Sequence, residues 1–574
     1  PMSRGELLLV YAAVAMAPVM DRGVYVIHYL TYPQYYGNDV NQWQEFFEYF
    51  PDFYIPHDPG IVRGFWEGSG SGLVPWEAWK TPLIWWMSFN MLLMVATGCL
   101  VAFFRRQWAE SERLRYPLLF LPLEISGGFE GSAVERGYFF RDPLMWMGFG
   151  IAAIFNGARV AHELTPAVPE VQRYIYVLRS IADPPWRWFR PLVLHFNLDT
   201  WGLSYLVPGD VLLTALAVYF GMKVVKVGGL AGGYRKWRFP FYQEVSGGAC
   251  VAVTLYMLYV SRRHFRRVFA RILRGPGQYD RNEPLSYRGL AIGFVLSMIA
   301  AFWMLLHAGH RWDLLIIYFA VMWMFVLVAA RIRAEAGPPV AWTHPYGYDT
   351  EVAVHLLGNR FIRGHGSPQP MVLYYALHYI GRTVFTHVGG QYYTDGYRVV
   401  DYGNARRGSA FKLMLLVLLI SGFLAFWSHL DVSYEKGQAF ADVREGREHR
   451  TWAINWSRAH FRLLDQGLEN PGGPDIARSV AYGAGFLATA GITWARLNVS
   501  NFPLHPLGVV MGTLYNDWSP YWGPFLIAWL AQRLMLRYGG LPAYRRMVPG
   551  FVGLFFGHVL MGNVVLPVVM RLTA

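Results

Sequence analysis

The sequence predicts an all-α membrane protein, a polytopic helical bundle of about 10–16 helices with re-entrant or broken segments. Of its 574 residues, 54% are hydrophobic and 16% are charged, whereas soluble globular proteins carry about 25% charged residues. The mean hydropathy is +0.23. Helices are expected throughout, because an open strand in lipid leaves backbone groups without hydrogen bonds.

The apolar residues gather into runs of about 20, the length that crosses a bilayer. The strong runs are 82–104, 143–161, 205–222, 242–261, 289–308, 313–331, 411–428, 477–495, 521–536 and 547–569, and the weaker ones are 6–20, 370–387 and 502–516. We divide the chain into an N-terminal membrane half, 1–288, with an aromatic outer loop at 31–79, and a C-terminal half, 289–574, with a polar extramembrane loop at 429–476.

The net charge of +13 is carried almost entirely by arginine, which clusters at the ends of the apolar runs. This placement is typical of cytoplasmic loops that face anionic lipid, and it argues against nucleic acid as a partner. Three arginine-rich loops, 104–115, 262–288 and 533–546, are therefore predicted to be cytoplasmic, and the acidic, aromatic segment 31–79 is predicted to lie outside. The expected location is the cytoplasmic (inner) membrane of a bacterium, crossed many times.

The order of the spans leaves one crossing unaccounted for. The loops 104–115 and 262–288 must be separated by an even number of crossings if both are cytoplasmic, yet three clear runs lie between them. We predict either that one run is re-entrant or that a fourth crossing is hidden in 116–130 or 162–204. Such segments are tolerated where protein covers them or where they line a cavity.

A helix break follows the apolar run 313–331. The run continues through Arg331 and Glu335 into Gly337-Pro338-Pro339, where proline removes a backbone donor and ends the helix. Transporters use unwound helices of this kind to bind substrates and ions. An ordinary helix end, with arginine side chains reaching toward the interface, is the alternative.

Other polar residues interrupt the apolar runs, and ionisable groups in a membrane tend to mark ion or substrate paths. His505 lies in a stretch that two prolines and a glycine interrupt. Its side chain is either a proton acceptor or a structural hydrogen-bonding group. Asp210 is a pathway group or a helix cap, and Glu124 lies in a proline-flanked segment that is re-entrant or interfacial. The candidate substrate or proton pathway residues are Glu335, Arg331, Asp210, Glu244, Glu124, His505 and Asn156.

Short motifs of soluble enzymes are absent from the sequence. The lack of GxxxxGK[ST] disfavours ATP-driven transport by this chain alone, and the lack of HExxH, CxxC and CxxCH disfavours zinc protease, thiol redox and c-type haem chemistry. The 17 histidines could supply haem or metal ligands, but no pair at i, i+4 lies inside one clear apolar helix. We therefore assign no catalytic, cofactor-binding or metal-binding residue.

Several segments, in order along nearly the whole chain, carry a family resemblance. They are Ser3-Arg4-Gly5-Glu6-Leu7, Val62-Arg63-Gly64-Phe65-Trp66-Glu67-Gly68, Arg105-Arg106-Gln107-Trp108 through Tyr116-Pro117, Leu121-Pro122-Leu123-Glu124, Arg331 to Pro339, His505-Pro506-Leu507-Gly508, and Leu536-Arg537-Tyr538-Gly539-Gly540-Leu541 with Tyr544-Arg545-Arg546. Together they resemble an uncharacterised bacterial branch of the oligopeptide transporter superfamily. This resemblance implies a large helical bundle, re-entrant segments and proton-coupled uptake of peptides or metal chelates, although the branch itself has no assigned substrate.

The first hypothesis is therefore a secondary active transporter, not an enzyme, that moves a small peptide-like or chelated solute with protons as the coupling ion. The alternative is a non-transporting membrane subunit or scaffold, whose aromatic loops at 31–79, 162–204 and 429–476 bind other chains. A membrane-embedded enzyme is the third hypothesis, and it needs a clustered acid/base or metal constellation. Membrane lipid, a small solute and protons are the expected partners, and association with further copies or other membrane chains stays open.

Overall fold

A computed structural model of the protein describes residues 2–126, 139–165, 167–280, 282–338, 340, 342–383, 385–403, 405–439 and 450–573. Nearly all of the regular structure is helical, which confirms the predicted all-α bundle. Within the described ranges, strands occur as one antiparallel pair, β1 (Tyr174–Tyr176) and β2 (Val193–His195), in the loop that follows the helix Pro143–Leu164.

The helices differ widely in length, and the unbroken ones have from four to 31 residues. In the first half they are α1 Arg4–Val14, α2 Ala17–Asp21, α3 Tyr25–Tyr36, α4 Gln44–Phe47, α5 Pro59–Glu67, α6 Trp76–Arg106, α7 Phe120–Ile125, α8 Pro143–Leu164, α9 Leu198–Ser204, α10 Gly209–Ala231, α11 Tyr242–Val260 and α12 Arg262–Arg274. In the second half they are α13 Tyr287–His307, α14 Trp312–Glu335, α15 Glu351–Leu357, α16 Asn359–Arg363, α17 Gln369–Ala376, α18 His378–Thr383, α19 Phe385–Tyr402, α20 Arg407–Lys436, α21 Arg450–Glu469, α22 Ile476–Asn498, α23 Pro506–Gly512, α24 Trp522–Leu560 and α25 Leu566–Thr573.

Eight segments of the described chain are long and apolar enough to cross a membrane, or up to nine if the bent pair α11 and α12 counts as one span. These eight are Arg4–Tyr36, Trp76–Ser111, Pro143–Leu164, Gly209–Ala231, Tyr287–His307, Trp312–Glu335, Arg407–Lys436 and Trp522–Val569. The two runs predicted at 521–536 and 547–569 lie within the segment Trp522–Val569, and α24 consists of two helical parts that meet at Gly540, whose backbone is not helical (φ 65°, ψ −165°). The weak run at 502–516 holds only the short helix α23.

The helices pack around one large hydrophobic core, with a small satellite core under α24. The most extensive helix contacts join elements on both sides of residue 288, namely α8 with α24, α11 with α22, α9 with α24, and α6 with α13. The backbones of α11 and α22 approach each other closely. A Cβ atom added at Gly248 would lie only 1.8 Å from the Tyr482 carbonyl oxygen. Small residues allow helices in membranes to approach in this way.

Contacts between loops show which segments share an end of the bundle. Arg105 donates to Glu283 at 2.6 Å, so the arginine-rich loops 104–115 and 262–288 meet at one end. At the other end the Tyr54 hydroxyl lies 3.0 Å from Nε2 of His310, so the outer segment 31–79 covers the turn between α13 and α14. This is the arrangement that the charge pattern predicts.

The segment 191–208 runs beside α10, in the direction opposite to that helix, before α10 begins. Near the start of the segment, Lys226 of α10 donates to the Arg190 carbonyl at 2.7 Å. Near its end, Gln532 donates to the carbonyls of Tyr205 and Val207 at 2.8 and 2.7 Å. Lys226 lies 17 residues along α10 from Gly209, so the chain descends about 25 Å beside that helix. The segment overlaps 162–204, one of the two regions in which the sequence predicts a hidden crossing. In the other region, 116–130, residues 127–130 lie outside the described residues.

The aromatic side chains of the outer segment 31–79 pack inward on the same chain. Trp43, Tyr54 and Trp66 are buried, and Tyr32 stacks on Phe461 of α21. Trp76 is an exposed exception in this segment, and the loop 162–204 exposes Tyr174, Tyr176 and Trp186.

We expect His310 to make folding sensitive to acid. Burial lowers the pKa of His310 to about 3, whereas an unfolded histidine titrates near 6.5. The unfolded chain therefore binds a proton that the folded chain does not, and stability falls as the pH drops below about 6.5. Between pH 6.5 and 5 the cost is about 2 kcal/mol, and it should disappear in His310→Gln, whose amide oxygen can still accept from Tyr54.

The measurement is the thermal unfolding of both proteins in detergent at several pH values. Buried histidines elsewhere contribute equally to both proteins, so the difference between the two pH profiles isolates His310. Parallel profiles would contradict this prediction.

Candidate functional site

A cavity of about 240 Å³ lies where the ends of α11, α14 and α22 meet the chain that leads into α23. Apolar side chains of α11 form one wall, and charged side chains of the other elements form the rest. The lining residues are Val253, Tyr256, Met257, Arg331, Glu335, Thr493, Arg496, Leu497, His505, Pro506 and Leu507. Both predicted helix breaks therefore face the same cavity.

The last turn of α14 carries the acidic and basic groups of this cavity. Arg331 and Glu335 are four residues apart and so lie on one face of the helix, where Nε of Arg331 donates to Oε2 of Glu335 at 2.6 Å. Arg331 also contacts Glu112 of the loop 104–115, with 2.5 Å between Nη1 and Oε2. Arg331 is thus held by two carboxylates while Glu335 keeps its second oxygen for another partner.

That partner is His505, whose Nε2 lies 3.1 Å from Oε1 of Glu335. The backbone N–H of Leu507 donates to Nδ1 of His505 at 3.3 Å, so Nδ1 is the acceptor and Nε2 carries the proton. The backbone N–H of His505 donates to Oγ1 of Thr214 on α10 at 2.8 Å. The proline break therefore positions the imidazole to donate to Glu335.

Asp210 forms an ion pair with Arg496, and Arg496 lines the same cavity. Sequence reasoning did not single out Arg496. Nη2 of Arg496 lies 2.8 Å from Oδ2 of Asp210, and the guanidinium lines the cavity beside His505. Its signal in the sequence was an arginine at the end of the apolar run 477–495. The charges around the cavity are then two arginines against three carboxylates, with one titratable imidazole between them.

The cavity lies at the end of the bundle that carries the arginine-rich loops. Tyr256 and Met257 precede α12 by a few residues, and Glu112 belongs to the loop 104–115. By the positive-inside rule this is the predicted cytoplasmic end.

A second, larger cavity of about 540 Å³ lies on the opposite side of the end of α14, among α1, α7, α9, α19 and α24. Arg333 faces it and donates to Oδ2 of Asp395 at 2.7 Å. Glu124 is half-buried on α7, whose Leu121 and Pro122 line this cavity, and burial raises the pKa of the Glu124 carboxyl. Glu124 is therefore associated with the second cavity, away from Glu335.

Glu244 lies at the opposite end of α11 in an ion-pair network. Oε1 of Glu244 accepts from Arg478 of α22 at 3.0 Å, and the same guanidinium lies 2.5 Å from Nε2 of His355. The 12 residues from Glu244 to Tyr256 correspond to about 18 Å of helix, so this network is remote from the first cavity. Its geometry is that of a clamp between α11 and α22.

Asn156 joins α8 to α24. Its amide nitrogen donates to the Ala152 carbonyl at 2.9 Å and lies 3.0 Å from Nδ1 of His558, while its oxygen accepts from Arg159 at 3.1 Å. These contacts fill most of its hydrogen-bonding capacity, so Asn156 is a packing contact between two helices. The structure therefore brings three of the seven predicted residues to the lining of one cavity, connects Asp210 to it through Arg496, and places Glu124, Glu244 and Asn156 elsewhere.

Sequence reasoning missed a group of three buried residues, His344, Asp349 and His387, that meet inside the bundle. The first two lie in the irregular chain after α14, and the third lies near the start of α19. They are not at helical spacing, so the search for an i, i+4 pair passed over them. The available signal was a histidine and an aspartate five residues apart between apolar helices.

The fold and the site define a multi-pass α-helical membrane protein with a charged cavity at the broken end of a buried helix. The chain belongs to the family of unknown function DUF6785, whose profile matches residues 1–573. No curated protein sequence matches the chain.

Proposed function

We propose that the protein is a proton-coupled secondary transporter of small peptide-like or chelated solutes in the bacterial cytoplasmic membrane, as its resemblance to the oligopeptide transporter superfamily implies. The observation that supports this function is the convergence of Arg331, Glu335 and His505 on one cavity between two broken helices. Transporters bind solutes and coupling ions at such breaks.

The size and charge of the cavity favour the peptide-like solute over the chelate. Its volume of about 240 Å³ is smaller than the 300–1,000 Å³ of drug-sized pockets, and a bulky chelate needs more room. Arg331 and Arg496 offer planar donors that match a carboxylate, while Glu335 and Asp210 can accept from an ammonium group. A short zwitterionic solute satisfies both sets of charges at once.

Coupling to protons follows from the position of Glu335 between Arg331 and His505. When the carboxylate of a solute pairs with Arg331, Glu335 loses a cation that stabilises its charge, and it takes up a proton more readily. Proton uptake and solute binding thereby favour each other, which is the linkage that a symporter needs.

The test is uptake of labelled dipeptides by proteoliposomes with and without an inward proton gradient. We expect the wild-type protein to respond to the gradient, and Glu335→Gln to lose gradient-driven uptake by at least about tenfold, because the amide keeps the shape but binds no proton. Solute exchange across equal pH should be affected less, since exchange needs no net proton movement.

Asp313→Asn is the matched control, since Asp313 is a carboxylate that pairs with Arg311 at the other end of the same helix. It should leave gradient-driven uptake near the wild-type rate. Equal loss in both variants, or no dipeptide flux in folded wild-type protein, counts against the proposal.

A non-transporting membrane subunit is the second candidate, and the exposed aromatic residues Tyr174, Tyr176 and Trp186 favour it. Such side chains are enriched in protein interfaces. Purification of a stoichiometric partner chain from native membranes, lost on replacement of Trp186 by serine, would support this candidate.

A further inference from the structure

Three metal-ligating side chains meet in the interior of the bundle, outside both cavities. One ligand atom from each of His344, Asp349 and His387 lies within 4.8 Å of the other two. Nε2 of His387 is 3.2 Å from Oδ1 of Asp349, and the imidazole rings of His344 and His387 are stacked with 3.8 Å between their centroids. All three residues are at most 1% exposed.

These groups are short of hydrogen bonds. Both nitrogens of His344, both oxygens of Asp349 and Nε2 of His387 have no hydrogen-bond partner among the residues that the structure describes. A buried carboxylate without donors or a counter-charge is strongly unfavourable. A protonated His387 would neutralise Asp349, but it would leave both nitrogens of His344 without a partner. A cation bound by all three residues satisfies each of them.

The surroundings leave room for the carboxylate and orient one imidazole. A Cβ atom added at Gly381 would lie 2.0 Å from Oδ2 of Asp349, so only glycine accommodates the acid there. Nδ1 of His387 lies 3.3 Å from the Thr386 hydroxyl, which turns Nε2 of the same ring toward Asp349. Outer contacts of this kind fix the orientation of ligating histidines. One nitrogen of the stacked His344 ring lies within 4.8 Å of the ligand atoms of the other two residues.

The three residues lie near mid-depth of the bundle. The ring of Phe325, which is halfway along α14, lies 5.9 Å from His344 and 6.5 Å from His387 between centroids. His344 and Asp349 lie in the irregular chain between α14 and α15, and the short helices α15 to α18 connect them to α19, which carries His387. An uncompensated charge is most costly at this depth, so the pressure to bind a cation is greatest here.

We propose that His344, Asp349 and His387 bind one first-row divalent transition-metal ion as a resident group of the protein. Two imidazoles and one carboxylate suit zinc and its neighbours, whereas magnesium and calcium prefer oxygen ligands alone. Three protein ligands leave a coordination position for water or another small ligand. This inference goes beyond transport, and it holds whether or not the protein moves a solute.

The test uses the full chain purified in detergent, stripped with a chelator and then incubated with Zn²⁺, Co²⁺ or Mg²⁺. We expect about one zinc per chain by elemental analysis after gel filtration, a higher melting temperature with Zn²⁺ than with Mg²⁺, and a visible Co²⁺ absorption band. None of these readouts depends on transport. Folded, monodisperse protein that retains no zinc and shows no shift with Zn²⁺ would overturn the proposal.

The variants assign the ligands. Asp349→Asn and His387→Gln should weaken zinc binding by at least about 100-fold, and Gly381→Ala should do the same by displacing the carboxylate. His264→Gln is the control, because His264 is equally buried but bonds through both nitrogens, to Tyr279 at 2.9 Å and to the Phe103 carbonyl at 2.8 Å. Should a ligand variant fail to fold, His344→Gln and the cobalt spectrum of the wild type decide the matter. Undiminished zinc in the folded ligand variants would refute the assignment.

Discussion

Replacing Gly248 with alanine will separate α11 from α22 and lower the melting temperature more than any other single methyl group added to these helices. The new Cβ atom would lie 1.8 Å from the Tyr482 carbonyl oxygen and 2.8 Å from the Phe486 nitrogen, both of which are backbone atoms that cannot rotate away. Gly485 makes the reciprocal contact, 2.0 Å from the Val245 carbonyl oxygen. Overpacking typically costs about 1–3 kcal/mol, and we expect about 3 kcal/mol here because the two helix backbones must move apart.

The matched control is Gly483→Ala on α22, two residues before Gly485. An added Cβ there meets nothing within 4 Å, so the change should be neutral or should stabilise the helix by up to about 1 kcal/mol. Thermal unfolding of the three proteins in one detergent makes the comparison. Equal melting temperatures for the Gly248 and Gly483 variants would show that α11 and α22 do not touch in this way.

Arg105→Met is expected to be at least as damaging. Arg105 is 2% exposed and donates to Glu283 through Nε and Nη2, each at 2.6 Å, and to Glu110 at 2.7 Å. Removing the guanidinium leaves Glu283 buried with a charge that nothing nearby neutralises equally well. Breaking a buried pair from one side costs about 3–5 kcal/mol, and the loss should appear as a lower melting temperature and poorer recovery after extraction.

Two further variants test this explanation. Arg106→Met removes the neighbouring guanidinium, which is half-buried and pairs with Glu110 at 3.1 Å, and it should cost about 1 kcal/mol or less. Adding Glu283→Gln to Arg105→Met should recover part of the stability, since the second change removes the unpaired charge. A double variant that is less stable than Arg105→Met would argue against a buried ion pair.

The sequence was sufficient for the fold class because the hydropathy of the long runs depends on composition alone. The runs that became α6, α13, α14 and α20 need no knowledge of their neighbours to be identified as helices. The charge pattern also separated the two ends of the bundle, where Arg105 meets Glu283 and Tyr54 meets His310. The segment 191–208 was only located approximately, because its short helix and extended chain are stabilised by contacts with α10 and α24.

The candidate site was partly predictable for a related reason. Arg331, Glu335 and His505 stand beside prolines, and a proline break is visible in sequence. The contact between Glu335 and His505, which are 170 residues apart, is not visible in the sequence. The ion pair that connects Asp210 to the cavity through Arg496 is not visible there either. Glu244 looked equivalent to Glu335 in sequence, yet it pairs with Arg478 at the other end of α11 because the neighbouring helix, not the local pattern, decides its partner.

The position of the end of α14 between two cavities has a mechanical consequence. Successive residues of a helix are about 100° apart, so Arg331 and Arg333 project to nearly opposite sides from one rigid turn. A small sideways shift of this turn, along the line between the two cavities, therefore withdraws one guanidinium from its cavity while it moves the other further into the opposite cavity. One movement therefore adds positive charge to one cavity and removes it from the other. The ion pairs of Arg331 with Glu112 and of Arg333 with Asp395 hold the turn in its present position.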